Sequence, residues 1–275
     1  MELSTVLFGV TLAFYCVAGV LFLWSLKAEP GLTTGGAFGF GVLGLAVHSA
    51  GLVTRGIQQH RVPFTNLFES LVFFAWALMA VYLVMDRGHR ITALGAFASL
   101  VASAAIACGL LLPKDVSESL LPALQNRWST IHIASCLIGY AGFVLAFGSA
   151  LGYILQESML KAKRINVFQK RLPPLDVMDR FAYKTVALGF PMLTLGVVTG
   201  ALWAQAAWGS YWHWDPKETW ALVTWLVYAA YLHVRIVQGW RGKWANRLLM
   251  TGFACVLVTY FGVNFLASGL HKYNW

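Results

Sequence analysis

Between Trp203 and Trp225 the sequence places six of its twelve tryptophans. The densest part is "WGSYWHWDPKETW", residues 208–220, where four tryptophans and Tyr211 share thirteen positions with Asp215, Lys217 and Glu218. Indole rings offer wide, rigid stacking surfaces with one polar edge. An interfacial aromatic belt accounts for one or two such residues per helix end. It does not account for six, nor for Asp-Pro-Lys-Glu among them. The pattern suits a platform for a large flat ligand with an apolar face and charged edges. On that reading Lys217 pairs with ligand carboxylates, while Asp215 and Glu218 hold the loop's own geometry.

The elements that must carry this loop are apolar helices. The chain has 275 residues, 59% of them apolar, with 11% charged and a mean hydropathy of +0.66. Soluble domains carry about 25% charged residues. Apolar runs of about 20 residues recur along the chain, as membrane-crossing helices require. Eight spans are expected, near 5–26, 36–54, 64–85, 91–112, 130–156, 182–204, 219–238 and 247–268. The fold class is therefore all-α and polytopic, with 1–275 forming one integral membrane domain and 205–219 a loop between the sixth and seventh helices. The first run, with no basic stretch before it, is expected to stay in the membrane as a span.

Charge gives orientation. The net charge of +9 is not a nucleic-acid signal, because lysine and arginine sort by alternate loops. Lys27, Arg87, Arg90, Lys161, Lys163, Arg164, Lys170, Arg171, Arg180, Lys184, Arg235, Arg241, Lys243 and Arg247 make 14 on one side. Arg55, Arg61, Lys114, Arg127, Lys217 and Lys272 make 6 on the other. The basic side is cytoplasmic by the positive-inside rule, so both termini and the Trp-rich loop are expected outside. The basic stretch 157–184 sets topology on this reading; contact with a cytoplasmic partner is the alternative.

A haem, planar and bearing two propionates, fits the platform, and its iron takes histidine as an axial ligand. His132 opens the fifth span and His271 follows the eighth, both on the side of the loop. His233 lies about 20 Å down the seventh helix, toward the cytoplasmic side. His48, His60, His89 and His213 read as structural or surface residues. Glu69, near the outer start of the third span, is costly alone in a membrane; it is expected to pair with Arg55 or Arg61 or to hold backbone near the ligand site. Cys16, Cys108, Cys136 and Cys255 form no CxxC pair, so the chain is not expected to be a thiol–disulfide enzyme.

The stretch "GALWAQAAWGSYWHWDPKETWALVTWLVYAAYLHVR" (200–235) resembles the tryptophan-rich signature, the WWD motif, of the CcsA/ResC family of cytochrome c biogenesis proteins. So do "RVPFTNLFESLVFFAW" (61–76), "WSTIHIASCLIGYAGFVLAFGSALGYI" (128–154) and "GVNFLASGLHKYNW" (262–275). The resemblance runs from about residue 40 to the C-terminus. It implies a haem-transporting and haem-presenting subunit of a cytochrome c haem lyase (holocytochrome c synthase). The ligand implied is haem b, held on the loop through Trp203, Trp208, Tyr211, Trp212, Trp214, Asp215, Lys217, Glu218 and Trp220. The resemblance also implies iron ligation by His132 and His271 outside and by His233 at an inner site completed by a CcsB/ResB-type partner. Implied further are an apocytochrome c with its CxxCH motif, a thioredoxin-like thiol reductant pathway, and a bacterial cytoplasmic or plastid thylakoid membrane. No catalytic acid or base is assigned. Three other readings stand beside it: a haem carrier-loading transporter like the CcmC branch, a regulatory protein of haem synthesis on the same scaffold, and a haem-free scaffold with an aromatic belt.

Overall fold

The computed structural model describes residues 2–27, 31–64, 66–86, 91–113, 126–163 and 172–263. His89 and His271 lie outside the described residues. Among those described there is no strand, and eight helices follow in order. They are α1 (Leu3–Ser25), α2 (Leu32–Gln59), α3 (Leu67–Met85), α4 (Thr92–Leu110), α5 (Arg127–Lys161), α6 (Leu175–Trp208), α7 (Pro216–Ile236) and α8 (Lys243–Leu257). Beyond Leu257 the last helix widens into a π-helical turn, Val258–Gly262.

Seven of the eight are long and apolar enough to cross a membrane. The exception is α7, whose apolar middle is flanked by Lys217 and Glu218 at one end and His233 and Arg235 at the other. The expected spans and the observed helices correspond one to one. α5 and α6 run several residues past the expected limits at both ends, because polar turns continue the helical hydrogen bonding beyond the apolar core.

The bundle has two apolar cores. Phe8, Tyr15, Phe22, Phe68, Leu78, Tyr82 and Ile106 unite α1 to α4. Leu137, Phe143, Val186, Leu193, Tyr228 and Leu249 unite α5 to α8. Within the second, Phe143 and Tyr228 stack with ring centroids 3.5 Å apart and planes within 7°. Glycine sets the spacing of α5 and α6. A Cβ on Gly139 would sit 3.0 Å from the Gly189 carbonyl oxygen, and one on Gly189 would sit 2.9 Å from that of Gly139. In lipid, where apolar side chains gain little by leaving their solvent, such close backbone approach drives helix association.

A buried charge cluster fixes one end of the bundle. Arg55 and Glu69 are each 1% exposed and meet through Nε and Oε1 at 3.2 Å. Arg61 grips the same carboxylate with both terminal nitrogens, at 2.8 and 3.0 Å, and Arg55 also reaches Glu2. Glu69 therefore pairs with both candidates, Arg55 and Arg61. The Glu69 backbone N–H donates to the Asn66 side-chain oxygen at 2.8 Å, which caps α3. At the opposite end Asp179 of α6 accepts from both terminal nitrogens of Arg235 on α7.

Candidate functional site

The Trp-rich loop is short because both flanking helices end sharply. α6 stops at Trp208, and Gly209 takes the left-handed conformation at φ 81°, donating its N–H to the Gln205 carbonyl at 3.0 Å. Glycine adopts that cap without a Cβ penalty. α7 begins at Pro216 with Asp215 as its cap. The Asp215 carboxylate accepts from the Lys217 N–H at 3.0 Å. The Glu218 carboxylate reaches back to the N–H of Asp215 at 3.4 Å and of His213 at 2.8 Å. Asp-Pro-Lys-Glu is thus a capping box with proline at the first helical position. Only 209–215 is non-helical, so the expected 205–219 loop takes in a turn of helix on each side.

Within the loop the aromatic rings form two groups. Trp203 packs against His132 at 5.7 Å and against Trp208 at 5.2 Å, and Trp208 meets His213 edge-on at 6.0 Å. Trp212 and Trp214 form a second, perpendicular pair at 5.7 Å. Trp203 is 6% exposed, whereas Trp214 is 71% exposed and holds a left-handed backbone at φ 57°. Tyr211 and Trp220 also face outward. His213 is half-buried, with its Nδ1 3.7 Å from Glu218.

Beneath the loop lies a recess of about 90 Å³ between α5, α6, α7 and the π-helical turn. His132, Tyr211, Trp212, Lys217 and Glu218, all singled out from the sequence, line it together. The His132 Nδ1 lies 2.7 Å from the Gly196 carbonyl oxygen. A carbonyl only accepts, so Nδ1 carries a proton. A hydrogen bond of this kind orients the imidazole ring and sets its tautomer. Gly200 leaves the room: a Cβ there would be 2.6 Å from Nδ1. Lys217 stands in the first turn of α7, ahead of that helix's apolar run. Burial pulls its ammonium down to about 8, with the Cys136 thiol and the Asp215 carboxylate acting in the opposite direction.

His233 is not part of this recess. It lies far down α7 on an exposed stripe with Leu226, Ala230 and Val237. Sequence reasoning missed Cys136, Tyr140 and Tyr260, which also line the recess. Cys136 had a signal, lying one turn after His132 on the same helix face. Tyr260 had none: it lies in the π-helical turn, and its hydroxyl meets that of Ser70 at 2.7 Å, 190 residues away in sequence.

Fold and site together define a polytopic helical membrane protein that gathers aromatic and histidine side chains at one end of its bundle. The cytochrome C assembly protein family matches residues 64–271. Among curated relatives, a cytochrome c biogenesis protein CcsA of Synechococcus sp. (strain JA-3-3Ab) is 34% identical, over 94% of this chain and 92% of that protein. That of Microcystis aeruginosa (strain NIES-843 / IAM M-2473) is 36% identical over 91% and 90%. A solved structure, "Cytochrome c Heme Lyase CcmF", superposes with a TM-score of 0.72 at 17% identity. It covers 97% of this chain, which spans 47% of that lyase, and the likeness is one of fold. The chain belongs to the cytochrome c assembly protein family, in its CcsA group, and its place is cytochrome c biogenesis in a membrane.

Proposed function

We propose that the protein is the haem-transporting and haem-presenting subunit of a cytochrome c haem lyase. The observation that carries this is His132, held by the Gly196 carbonyl through Nδ1 and packed against Trp203 beside the Trp-rich loop. The recess is too small for a macrocycle. The outward-facing Tyr211, Trp214 and Trp220 rings offer an open shelf instead. The loop lies at the bundle end poorer in lysine and arginine, which supports placing it outside and the basic end in the cytoplasm.

On this reading haem b is the substrate. It is received at an inner site that uses His233, whose exposed position on α7 suits completion by a CcsB/ResB-type partner. It is then held outside between His132 and His271 and stacked on the loop. An apocytochrome c presents reduced CxxCH thiols, kept reduced by a thioredoxin-like pathway. Each thiol adds across a vinyl group: sulfur bonds to one vinyl carbon and the thiol proton ends on the other, so no oxidant is needed. The chain contributes alignment, which is worth up to about 7–11 kcal/mol of a barrier when two reactants are held in register. Asp215 and Glu218 serve the loop's backbone and not proton transfer.

The test is visible spectroscopy of the purified chain, with and without its coexpressed partner, for the unmutated protein, His132→Ala, His271→Ala and His233→Ala. The expected result is a reduced low-spin bis-histidine spectrum, weakened by either outer substitution and restored by added imidazole. His233→Ala is expected to lower total loading and spare the outer spectrum. Colourless protein in every preparation would remove haem from the account.

A further inference from the structure

A second cavity lies deeper in the bundle and is larger. Its volume is about 450 Å³, against about 90 Å³ for the recess under the loop. Pockets that enclose small molecules and cofactors run to about 300–1,000 Å³. α3 and α5 supply its floor, where Leu71, Tyr140 and Val144 are buried. α4 and α8, with the π-helical turn, supply its sides, and there Ala104, Cys108, Leu257 and Phe261 are exposed. The cavity is thus a cleft that opens between α4 and α8 onto the lipid-facing surface. Along α4 it runs from Phe97 to Cys108, about 16 Å at the helical rise. That is about half of a hydrocarbon core ~30 Å thick.

The lining decides between occupants. None of its described side chains is charged, and seven of its fifteen described residues are aromatic. In a bilayer an acyl chain gains little by leaving lipid for an equally apolar cleft. A flat conjugated ring does gain, because aromatic faces and edges attract one another beyond the area they bury. Phe147 and Phe253 stack at 3.9 Å and 23°, and Phe97 tilts against Phe147 at 6.3 Å. The position of the cleft matters as much. Tyr140 and Tyr260 line both this cleft and the His132 recess. Their rings meet edge-on at 6.5 Å and form a partition between the two spaces. Tyr260 stands in the π-helical turn, with its hydroxyl 2.7 Å from that of Ser70. Turns of this kind are frequent at functional sites.

We propose that this cleft is a membrane-side holding site for the porphyrin macrocycle, filled from the bilayer between α4 and α8 and separated from His132 by Tyr140 and Tyr260. The proposal rests on the haem reading above and adds to it a site that works through ring faces. The described lining holds no histidine, so the iron is not gripped there as it is outside. A ring in the cleft lies one partition away from the His132 recess. Its transfer is then a short lateral step past two tyrosines, made without leaving the protein.

The experiment uses metal-free protoporphyrin IX, which keeps the ring and has no iron for a histidine to ligate. Its fluorescence is titrated against the full chain, copurified with its partner in phospholipid nanodiscs, beside empty nanodiscs. Saturable binding above the empty-disc background is expected. Ala104→Trp fills the mouth from an exposed position and needs no room in the core; Ala105→Phe fills the side wall. Each is expected to weaken porphyrin binding by about tenfold, the scale of one aromatic stacking contact. Val20→Trp adds the same ring at an exposed position on α1; it and His132→Ala are expected to leave binding within about twofold. Uptake no greater than in empty discs would show a cleft filled by lipid and overturn the holding site. So would uptake that both alanine substitutions leave intact, or that Trp214→Gly abolishes, which would put the ring on the loop's shelf. The haem reading is judged separately, by the low-spin iron spectrum and its loss in His132→Ala. Porphyrin uptake without that spectrum would keep the cleft and remove the iron site.

Discussion

Gly200→Ala should displace His132. In an exposed helix the same change gains about 1 kcal/mol, because alanine is the better helix former. Here the added Cβ would lie 2.6 Å from His132 Nδ1 and 2.8 Å from Cε1, where non-bonded heavy atoms prefer about 3.5–4.0 Å. The imidazole must give way by nearly an ångström. That breaks its 2.7 Å bond to Gly196, a loss of about 0.5–1.5 kcal/mol, and adds an overpacking cost of about 1–3 kcal/mol. After the propensity gain, a net destabilisation of about 0.5–3.5 kcal/mol remains. The effect on function should exceed it, since a misplacement of about 1 Å at a positioning residue can reduce rate ~100-fold. The assay is a thermal melt with a reduced visible spectrum, run beside Gly9→Ala, where the new Cβ meets nothing within 4 Å. Gly200→Ala should melt lower than Gly9→Ala and lose low-spin haem that imidazole restores. If both variants are equally stable and equally coloured, the Gly200–His132 contact does not position the ligand. Lower stability with an unchanged spectrum would keep the packing argument and remove His132 from the iron.

Three other substitutions test separate parts of the frame. Glu69→Gln leaves Arg55 and Arg61 without their shared counter-charge, and removing one partner of a buried pair costs about 3–5 kcal/mol; a melt shifted by less than about 1 kcal/mol would show the cluster is hydrated. Asp215→Ala removes the α7 cap and should cost about 0.5–2 kcal/mol, with iodide quenching of tryptophan fluorescence rising as the loop frays. His233→Ala should leave the isolated chain's melting unchanged, because the side chain is exposed, and alter haem content only in the complex; a lower melting temperature without partner would refute its placement on an open face.

Eight apolar helices were legible because apolar length is a local property of sequence. The α7 cap was legible for the same reason: Asp-Pro-Lys-Glu specifies a helix start by itself. Glu69 was legible as needing a cation, because an acid at that depth has few alternatives. That it would engage Arg55 and Arg61 together depended on how α2 and α3 pack. The gap that seats His132 was not legible. It requires α5 and α6 to approach at Gly196 and Gly200, and a glycine four residues from another marks a close helix contact without saying which side chain fills it. Tyr260 was hidden more completely, since its place follows from a π-helical turn that shifts its register against Ser70.

Trp214 separates what holds the loop from what the loop is for. A bulky residue in the left-handed region costs about 1–3 kcal/mol, and such strain persists where surrounding structure over-determines it. Here the capping box begins at the very next residue and the His213 N–H is tied to Glu218, so the backbone has no freedom to relax. The ring itself recovers little, being 71% exposed. A fold selected for stability alone would place glycine or asparagine at this position. Trp214→Gly should therefore leave the melting temperature unchanged or raise it, while haem retention falls because one wall of the shelf is gone. Stability traded against activity in this way is characteristic of residues kept for function. A fall in stability of more than about 1 kcal/mol, beyond the flexibility cost of a glycine, would mean that the indole is a packing element, and the strain would then need another cause.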